Sequence, residues 1–197
     1  MIQNCLIVFV RKPELGKVKT RLAAKLGEEA ALKAYKQLLE ITRTATLDVP
    51  ADRHLWYAGE LVVQDSWSLT DYQKYLQPDG DLGYKMEIAF ANALAEHQNV
   101  LIVGSDCPDV SGSILNDAFE SLNQHDVVLG PTEDGGYYLL GMKYGHYQLF
   151  KDISWSTEKV FDQTIQKCKA LQLKVNFMPM LFDVDTEAEF NRWQNKL

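Results

Sequence analysis

The sequence predicts an α/β fold, a three-layer α/β/α arrangement around a mostly parallel sheet. The apolar runs at residues 6–10, 100–103 and 127–129 are short, continuous and rich in β-branched side chains, which is typical of strands buried on both faces. Amphipathic helical stretches alternate with these runs along the chain. Since the 197 residues contain no repeat or linker, we expect a single domain over residues 1–197.

The predicted elements follow one another in a regular order. Apolar and β-branched runs predict strands at 6–10, 54–58, 100–103, 127–129, 137–142 and 173–178. Apolar residues spaced three and four apart predict helices at 20–26, 28–47, 113–123, 157–171 and 186–194. A further helix is predicted to begin at the turn formed by residues 80–83. Candidate N-caps of these helices are Thr20, Asp109, Ser111, Ser156 and Asp185.

The charge is unevenly distributed along the chain. Asp and Glu outnumber Lys and Arg by 27 to 20, and the net charge of −7 argues against a nucleic-acid binder, whose phosphate contacts need a basic surface. Between Arg11 and Lys25, however, six basic residues stand against the single acid Glu14, a local charge of +5. A basic segment of this kind in an acidic protein indicates a binding site for a small anion.

Cysteine and histidine residues show no pattern of a disulfide framework or a zinc site. The three cysteines are odd in number and lie far apart without a CxxC pair, and Cys5 and Cys168 are expected to be buried apolar residues. The four histidines have no ligand spacing and are expected at the surface: His54, His97, His125 and His146.

The amino-terminal apolar run is too short to span a membrane. No basic region precedes it, and it continues directly into Arg11 and Lys12, the reverse of the order found in a signal peptide. We therefore expect a protein without a membrane span that resides in the reducing environment of the cytoplasm.

The basic segment lies where an open α/β sheet binds its ligands, just after the first strand. The free N–H groups and the dipole of the following helix favour an anion, so the segment suits a di- or triphosphate. It has neither the Walker pattern nor Gly-x-Gly-x-x-Gly. A solvated charged loop is the alternative interpretation. The candidate nucleotide- or phosphate-binding residues are Arg11, Lys12, Gly16, Lys19, Thr20 and Arg21.

Carboxylates follow two further predicted strands. Asp106 comes directly after the strand at 100–103, too early to cap the next helix, and a carboxylate held there can bind Mg²⁺ or Mn²⁺. Alternation puts Asp183 and Asp185 on one side of an extended segment, so one or both can face the cation on Asp106. A cap of the last helix is the alternative for Asp185. Cys107 is expected to be a packing residue, since no activating histidine is recognisable nearby.

Three turn-rich segments complete the predicted pocket. In 130–138 two glycines let a ligand approach the backbone closely, although Asp-Gly is equally a hairpin signal. The segment 77–83 has more turn residues than a simple connector needs, and 155–157 opens a helix at which a phosphate or an acceptor can also bind. The candidate acceptor or pocket residues are Gly80, Asp81, Gly135, Gly136, Tyr137, Trp155, Ser156 and Asp183.

Six stretches that occur in a fixed order carry a family resemblance: 12–22, 80–83, 104–108, 129–141, 155–157 and 183–186. Together they resemble a bacterial family of biochemically uncharacterised glycosyltransferase-like proteins, a domain of unknown function in the GT-A nucleotide-diphospho-sugar transferase superfamily. The resemblance covers essentially the whole chain. More distantly, the chain is similar to the molybdenum-cofactor and 2-phospholactate guanylyltransferases, which share a basic loop after the first strand and a metal-binding aspartate after a central strand.

The resemblance implies a sheet of GT-A type and a metal-dependent site at its edge. By this analogy Lys12, Lys19 and Arg21 contact nucleotide phosphates. Asp106 and Asp185 then bind the Mg²⁺ or Mn²⁺. The sequence departs from the family patterns at two places. The Gly-Gly-x-Ser/Gly-x-Arg-Met loop of typical nucleotidyltransferases is absent, and the Asp-x-Asp of many GT-A glycosyltransferases is reduced to the pair at 105–106.

The function implied by the resemblance is metal-dependent glycosyl transfer from a nucleotide-diphospho-sugar to a small-molecule acceptor. The expected catalytic residues are Asp106 for the metal, Lys19 for charge that develops on phosphate, and Asp134 to position or deprotonate the acceptor hydroxyl. One alternative is a guanylyltransferase-like nucleotidyltransferase that acts on a nucleoside triphosphate and a small phosphorylated acceptor. A non-catalytic nucleotide-binding protein is the other.

Overall fold

The computed structural model describes residues 3–196. The strands are β1 (Asn4–Arg11), β2 (Asp52–Ala58), β3 (Gln73–Leu76), β4 (Asn99–Val103), β5 (Val127–Pro131), β6 (Tyr137–Met142) and β7 (Val175–Phe177). The α-helices are α1 (Thr20–Leu26), α2 (Glu28–Leu47), α3 (Leu82–Leu94), α4 (Gly112–Ser121), α5 (Val160–Ala170) and α6 (Glu187–Gln194). A short 3₁₀ helix spans Tyr147–Phe150. The predicted alternation of strands and helices is confirmed.

The strands form a seven-stranded sheet in the order β3-β2-β1-β4-β6-β5-β7. β1 pairs in parallel with β2 and β4, β2 with β3, and β5 with β7. β6 is the exception, because it runs antiparallel between β4 and β5. The sheet is therefore mostly parallel, as predicted. The carboxyl ends of β1, β2, β4 and β5 meet at one edge, and the amino end of β6 joins them there.

Helices cover both faces of the sheet, and each face buries its own apolar cluster. On one face Leu6 of β1 shares a cluster with Leu39 of α2. On the other face Ile7 of β1 shares a cluster with Phe90 of α3 and Cys168 of α5. Because both faces are covered, the strands are apolar at consecutive positions instead of alternating with polar ones. This confirms the three-layer α/β/α, Rossmann-like fold.

A third, smaller cluster fixes the edge at which the strands end. Leu22 of α1, Leu38 of α2 and Trp193 of α6 are all buried in it. The cluster holds the last helix against the helix that follows the basic segment. The segment 183–186, which leads into α6, is therefore held beside the start of α1.

Two predicted caps are wrong because their helices begin at other residues. Thr20 is the first helical residue of α1, and Lys19 holds the N-cap position with a left-handed backbone, φ +47°. α5 begins only at Val160, so Ser156 lies in the preceding turn, also in the left-handed region with φ +62°.

The caps of the other two helices are settled by local hydrogen bonds. Thr186, not Asp185, occupies the N-cap of α6, and its backbone N–H donates to the Glu189 carboxylate at 2.7 Å. The Ser111 hydroxyl caps α4, as predicted, by accepting from a backbone N–H of the first turn. Asp109 does not cap α4 but pairs with Lys196, 2.6 Å away.

β3 is an element that the hydrophobic pattern misses. It is four residues long, lies at the edge of the sheet and is partly exposed, so its sequence has no buried apolar run. In the part of the chain from residue 3 to 196, no helix combines the length and apolarity that crossing a bilayer requires.

His54 and His97 are buried, and their predicted surface position is wrong. The exposed fractions are 2% for His54 and 8% for His97. His54 belongs to β2, an inner strand, and His97 follows α3, which packs against the same face of the sheet. An imidazole has an apolar body, so its burial is governed by the element that carries it rather than by its polarity.

Candidate active site

Adjoining cavities open at the edge where the strands end. The first has a volume of about 560 Å³ and lies over β1, β2 and β4. The second, of about 480 Å³, lies beside β6 and shares Arg21, Leu82 and Asp185 with the first. A third, of about 260 Å³, shares Asp106 with the first and Asp183 with the second. Together they form one cleft at the place where open α/β sheets bind ligands.

The Lys19 side chain is the central contact of the cleft. Its ammonium contacts the Asp106 carboxylate and lies 2.8 Å from Asp185 Oδ1. The Lys19 side chain is only 5% exposed, whereas those of Asp106 and Asp185 are 46% and 41% exposed. Burial lowers the pKa of Lys19, but the two carboxylates raise it more, so its pKa lies above the ordinary value and the ammonium stays charged.

Two loops bring these three residues together. Asp106 lies just beyond the carboxyl end of β4, and Asp185 lies just before α6. The Val184 N–H donates to the Asp106 carbonyl at 3.0 Å, which joins the two loops through their backbones. The predicted meeting of Asp106 and Asp185 is therefore seen, and the cation between them is Lys19.

The basic segment contributes most of the charge in the first cavity. The charged side chains that line it are Arg11, Lys17, Lys19, Arg21, Asp106 and Asp185, and Thr20 lines it as well. Lys12 lies elsewhere, 2.9 Å from Glu14 and 3.0 Å from Glu60. Gly16 is not among the lining residues either and has a left-handed backbone, φ +73°, which forms the turn of the segment.

Tyr35 anchors the basic segment to α2. Its hydroxyl accepts a hydrogen bond from the Arg11 N–H at 2.9 Å and donates one to the Arg11 carbonyl at 3.1 Å. Tyr35 is buried and also lines the first cavity. The end of β1 is therefore fixed by a side chain from a helix that follows it in the sequence.

The second cavity contains most of the predicted acceptor residues. Its lining includes Asp134, Gly136, Tyr137, Trp155, Ser156 and Asp183. Asp134 Oδ1 accepts from the Thr132 hydroxyl at 2.5 Å and from the Gly136 N–H at 3.1 Å. Asp134 lies in the tight turn between β5 and β6, so the hairpin interpretation of this segment is confirmed.

Asp183 lies between the second and third cavities. It accepts a hydrogen bond from the Cys107 thiol at 2.8 Å. Burial raises the pKa of Asp183 to about 7, and the carboxylates of Asp106 and Asp134 raise it as well, whereas the thiol hydrogen bond lowers it. Cys107 is buried and its pKa is raised far above the ordinary value, which agrees with the packing role expected for it rather than that of a nucleophile.

Three of the predicted pocket residues have structural positions instead. Asp81 caps α3, because its carboxylate accepts from the Tyr84 N–H at 2.8 Å, and Gly80 precedes it in the turn. Neither residue lines any of the three cavities, whereas Leu82, the next residue, lines all of them. Gly135 is not in the lining of these cavities either, and a Cβ there would meet the backbone of Glu158.

Several lining residues were not among the predictions. Within the basic segment, Lys17 could have been found from its charge, and Ser105 from its place beside Asp106. Gln77 and Leu82 belong to the turn-rich segment 77–83, which was expected to line the pocket, whereas Tyr35 reaches the cleft only through tertiary packing and no local pattern marks it. The donors that face one another across Lys19 are carboxylate oxygens, the ligand type that Mg²⁺ and Mn²⁺ prefer. The residues therefore fit a hard divalent cation.

Comparisons with known proteins place the chain in a family. The profile of the family described as "Uncharacterized protein conserved in bacteria (DUF2064)" matches residues 41–157, and the chain belongs to this family. No protein of curated function matches it. A crystal structure from Desulfovibrio desulfuricans G20, provisionally named a nucleotide-diphospho-sugar transferase, is 30% identical over 94% of this chain and 84% of that one, with a TM-score of 0.84.

Two further solved structures share the fold at low identity. The Mycobacterium tuberculosis H37Rv protein Rv0371C, solved in complex with manganese, is 14% identical over 99% of this chain and 100% of that one, with a TM-score of 0.60. The inositol-1-phosphate CTP transferase of T. maritima is 12% identical over 99% of this chain and 94% of that one, with a TM-score of 0.61. These likenesses agree with the mostly parallel, Rossmann-like sheet of this chain.

Proposed function

We propose that this member of the DUF2064 family is a metal-dependent transferase that uses a nucleotide-diphospho-sugar and transfers the glycosyl group to a small-molecule acceptor. The observation that carries the proposal is the Lys19 ammonium held between Asp106 and Asp185 on the wall of a basic cavity. Two carboxylates that share one cation, next to further basic side chains, suit a diphosphate and the metal ion that accompanies it. The Desulfovibrio protein, 30% identical, carries a name of the same class.

The first cavity supplies the diphosphate site. Four of its side chains are basic and two are acidic, which leaves an excess of positive charge facing the bound molecule. Lys19 is the only one of the four that is already held by carboxylates on both sides, so it is fixed in position before a ligand arrives. Arg11, Lys17 and Arg21 provide the additional charge. Fixed positive charge of this kind stabilises the negative charge that builds up on a departing nucleoside diphosphate.

Asp106 and Asp185 would hold the Mg²⁺ or Mn²⁺. Such an ion would neutralise part of the negative charge of the phosphates. Because Lys19 contacts both carboxylates, its ammonium must share them with the ion or turn toward the phosphates. The manganese complex of the Mycobacterium protein makes Mn²⁺ the first ion to test.

The second cavity supplies the acceptor site. In the proposed reaction the acceptor hydroxyl oxygen forms a bond to the anomeric carbon, the bond between that carbon and the β-phosphate oxygen breaks, and the nucleoside diphosphate leaves with the electron pair. The hydroxyl proton goes to the Asp134 carboxylate. Thr132 and the Gly136 N–H both donate to Asp134 Oδ1, so the carboxylate is held in one orientation toward the cavity.

Nucleotidyl transfer from a nucleoside triphosphate is the second candidate. The excess of basic over acidic side chains in the first cavity favours it, because a triphosphate carries more negative charge than the diphosphate of a nucleotide-sugar. The two reactions differ in their products. Glycosyl transfer releases a nucleoside diphosphate, whereas nucleotidyl transfer releases pyrophosphate, and phosphorus NMR of the reaction mixture distinguishes them.

A thermal-shift panel tests the proposal directly. CDP-, GDP- and UDP-sugars and the nucleoside triphosphates are each added with and without Mn²⁺, and the expected result is stabilisation by at least one nucleotide that depends on the metal. Asp106→Asn should abolish it. The matched control is Asp109→Asn, three positions further along the same loop, whose carboxylate pairs with Lys196. If no nucleotide raises the melting temperature in the presence of metal, the proposal fails.

A further inference from the structure

A second group of ligand-type side chains meets far from the cleft. Cys5, His54 and His97 each offer one donor atom, and these atoms all lie within 4.8 Å of one another. Cys5 belongs to β1, His54 to β2, and His97 follows α3. Cys5 stands opposite Asp52, the first residue of β2, so the group lies near the amino ends of the strands. The candidate active site lies at their carboxyl ends, at the opposite edge of the sheet.

His54 is the residue that points to a ligand in this group. It is almost fully buried, and neither of its ring nitrogens has a hydrogen-bond partner within residues 3–196. A neutral imidazole carries one N–H donor and one nitrogen lone pair, and buried groups of both kinds are normally satisfied. The ring faces His97 at a centroid distance of 5.7 Å, edge to face. Neither the neighbouring thiol nor the neighbouring imidazole forms a hydrogen bond with the ring of His54, whereas a metal ion would take up its lone pair.

We propose that Cys5, His54 and His97 form a second metal site, of the thiolate–imidazole class, that binds Zn²⁺. One sulfur and two imidazole nitrogens are the donor set that zinc and the other late first-row metals prefer. Hard cations such as Mg²⁺ prefer oxygen, so this site selects a different ion from the cleft. On binding, the Cys5 thiol releases its proton to solvent and the sulfur donates an electron pair to the metal. The proposal does not rest on the function assigned to the cleft.

The surroundings of His97 specify how it would bind. Its Nδ1 lies 3.0 Å from the Ala93 carbonyl, and its Nε2 lies 2.9 Å from Asp52 Oδ2. A neutral ring has only one N–H for these two oxygen acceptors. The carbonyl belongs to α3 and is fixed, whereas the Asp52 side chain is 38% exposed and can turn away. We therefore assign Nε2 to the metal and the Nδ1–H to the carbonyl, which orients the ring as ligating histidines are usually oriented.

Cobalt substitution of the chelator-washed full-length protein tests the proposal. Co²⁺ in a thiolate–imidazole site shows a sulfur-to-metal charge-transfer band, which an all-oxygen site in the cleft cannot give. We expect this band to saturate at one ion per chain and to disappear when Zn²⁺ is added. The same Zn²⁺ titration should raise the melting temperature of the washed protein, because the ion joins β1, β2 and the end of α3.

Variants locate the metal. Cys5→Ala, His54→Gln and His97→Gln should each abolish the charge-transfer band, with circular dichroism checking that the metal-free variants are folded. Cys168→Ala is the matched control, because Cys168 is a buried free thiol in the same apolar cluster, and it should keep the band. Asp52→Asn leaves all three ligands in place and removes only the carboxylate that turns away from Nε2, so this variant should keep the band.

Two results would overturn the assignment. One is a washed wild-type protein that gives no charge-transfer band and no stabilisation by Zn²⁺. The other is a band that survives in Cys5→Ala but disappears in Cys107→Ala, since this would place the metal in the cleft beside Asp183. Neither result depends on turnover of a nucleotide, so the zinc site and the proposed transferase can fail separately.

Discussion

The Lys19 ammonium lies 2.8 Å from Asp185 Oδ1, although 166 positions separate the two residues in the chain. The same ammonium contacts Asp106. One buried positive charge therefore joins the loop after β1, the loop after β4 and the segment before α6. Removal of this charge leaves two carboxylates at one place with no cation between them, and the first two predictions follow from that arrangement.

Lys19→Ala should weaken nucleotide binding without unfolding the protein. We expect a loss of affinity of about 10-fold or more, that is about 1.4 kcal/mol, because a fixed cation that faces the phosphates is removed. The free energy of unfolding should fall by only about 1–2 kcal/mol, since both carboxylates remain half exposed and solvated. Calorimetric titration and chemical denaturation measure the two effects.

Lys12→Ala is the matched control for this experiment. Lys12 belongs to the same basic segment but pairs with Glu14 and Glu60 outside the cleft. Its removal should leave nucleotide affinity within about 2-fold of wild type, as expected for an exposed ion pair. Equal losses in the two variants would mean that the segment acts only through its overall charge.

Lys19→Met should bind Mn²⁺ more tightly than the wild type when no nucleotide is present. In the wild type the ammonium competes for Asp106 and Asp185, and the methionine side chain has similar length without the charge. We expect about a 10-fold gain in affinity, measured by electron paramagnetic resonance of free Mn²⁺. Adding Asp185→Asn to this variant should reverse the gain. An unchanged or weaker affinity in Lys19→Met would argue against a metal at these carboxylates.

Gly83→Ala should displace Trp155 from the second cavity. A Cβ at position 83 would lie 2.5 Å from the Trp155 Nε1 atom, so the ring must move. We expect a loss of about 1–3 kcal/mol in unfolding free energy from overpacking, together with a change in tryptophan fluorescence. Gly104→Ala is the control, because nothing lies within 4 Å of a Cβ there, and it should cost less than about 0.5 kcal/mol. Equal stability of the two variants would contradict the packing described here.

Cys168→Ala should reduce the loss of stability at alkaline pH. Burial raises the pKa of Cys168 from 9.0 to about 11, so the folded protein keeps a proton that the unfolded chain releases. The stability that this thiol contributes is complete below pH 9 and is lost as the pH rises toward 11. Between about pH 8 and about pH 10.5, the variant should therefore lose about 1–2 kcal/mol less than the wild type.

Denaturant unfolding at several pH values measures this difference. Val160→Ala is the control, because it shortens a buried side chain of the same helix without removing a titratable group, and it should keep the wild-type slope. A Cys168→Ala protein with the same alkaline slope as the wild type would contradict the prediction.

The layers of the fold were predictable because they rest on short-range patterns. The continuous apolar run of β1 and the helical spacing of apolar residues in α2 are both visible in the local sequence, because they follow from which residues are buried. β3 has no apolar run of this kind, since it is a partly exposed edge strand that pairs with β2. The caps predicted at Thr20 and Ser156 are wrong, because Lys19 holds the N-cap position of α1 and α5 begins only at Val160.

The candidate site was predictable only in part. Asp106 and Asp185 could be placed together because both follow strands of a parallel sheet, whose ends meet at one edge. The cation between them could not be identified, since the side-chain direction of Lys19 depends on its unusual backbone. The proximity of His54 and His97 could not be predicted either, because the sheet and the helix that packs on it bring these distant residues together.

The antiparallel β6 has a consequence for how the family can diversify. The proposed acceptor side of the cleft is built largely from two short stretches, 132–137, which contains the tight turn between β5 and β6, and 155–160. The proposed phosphate side needs segments drawn from across the whole chain. A few neighbouring substitutions in the turn can therefore alter the acceptor pocket and leave the phosphate side intact. Evolution along this lineage would be expected to exchange acceptors readily and to retain the nucleotide.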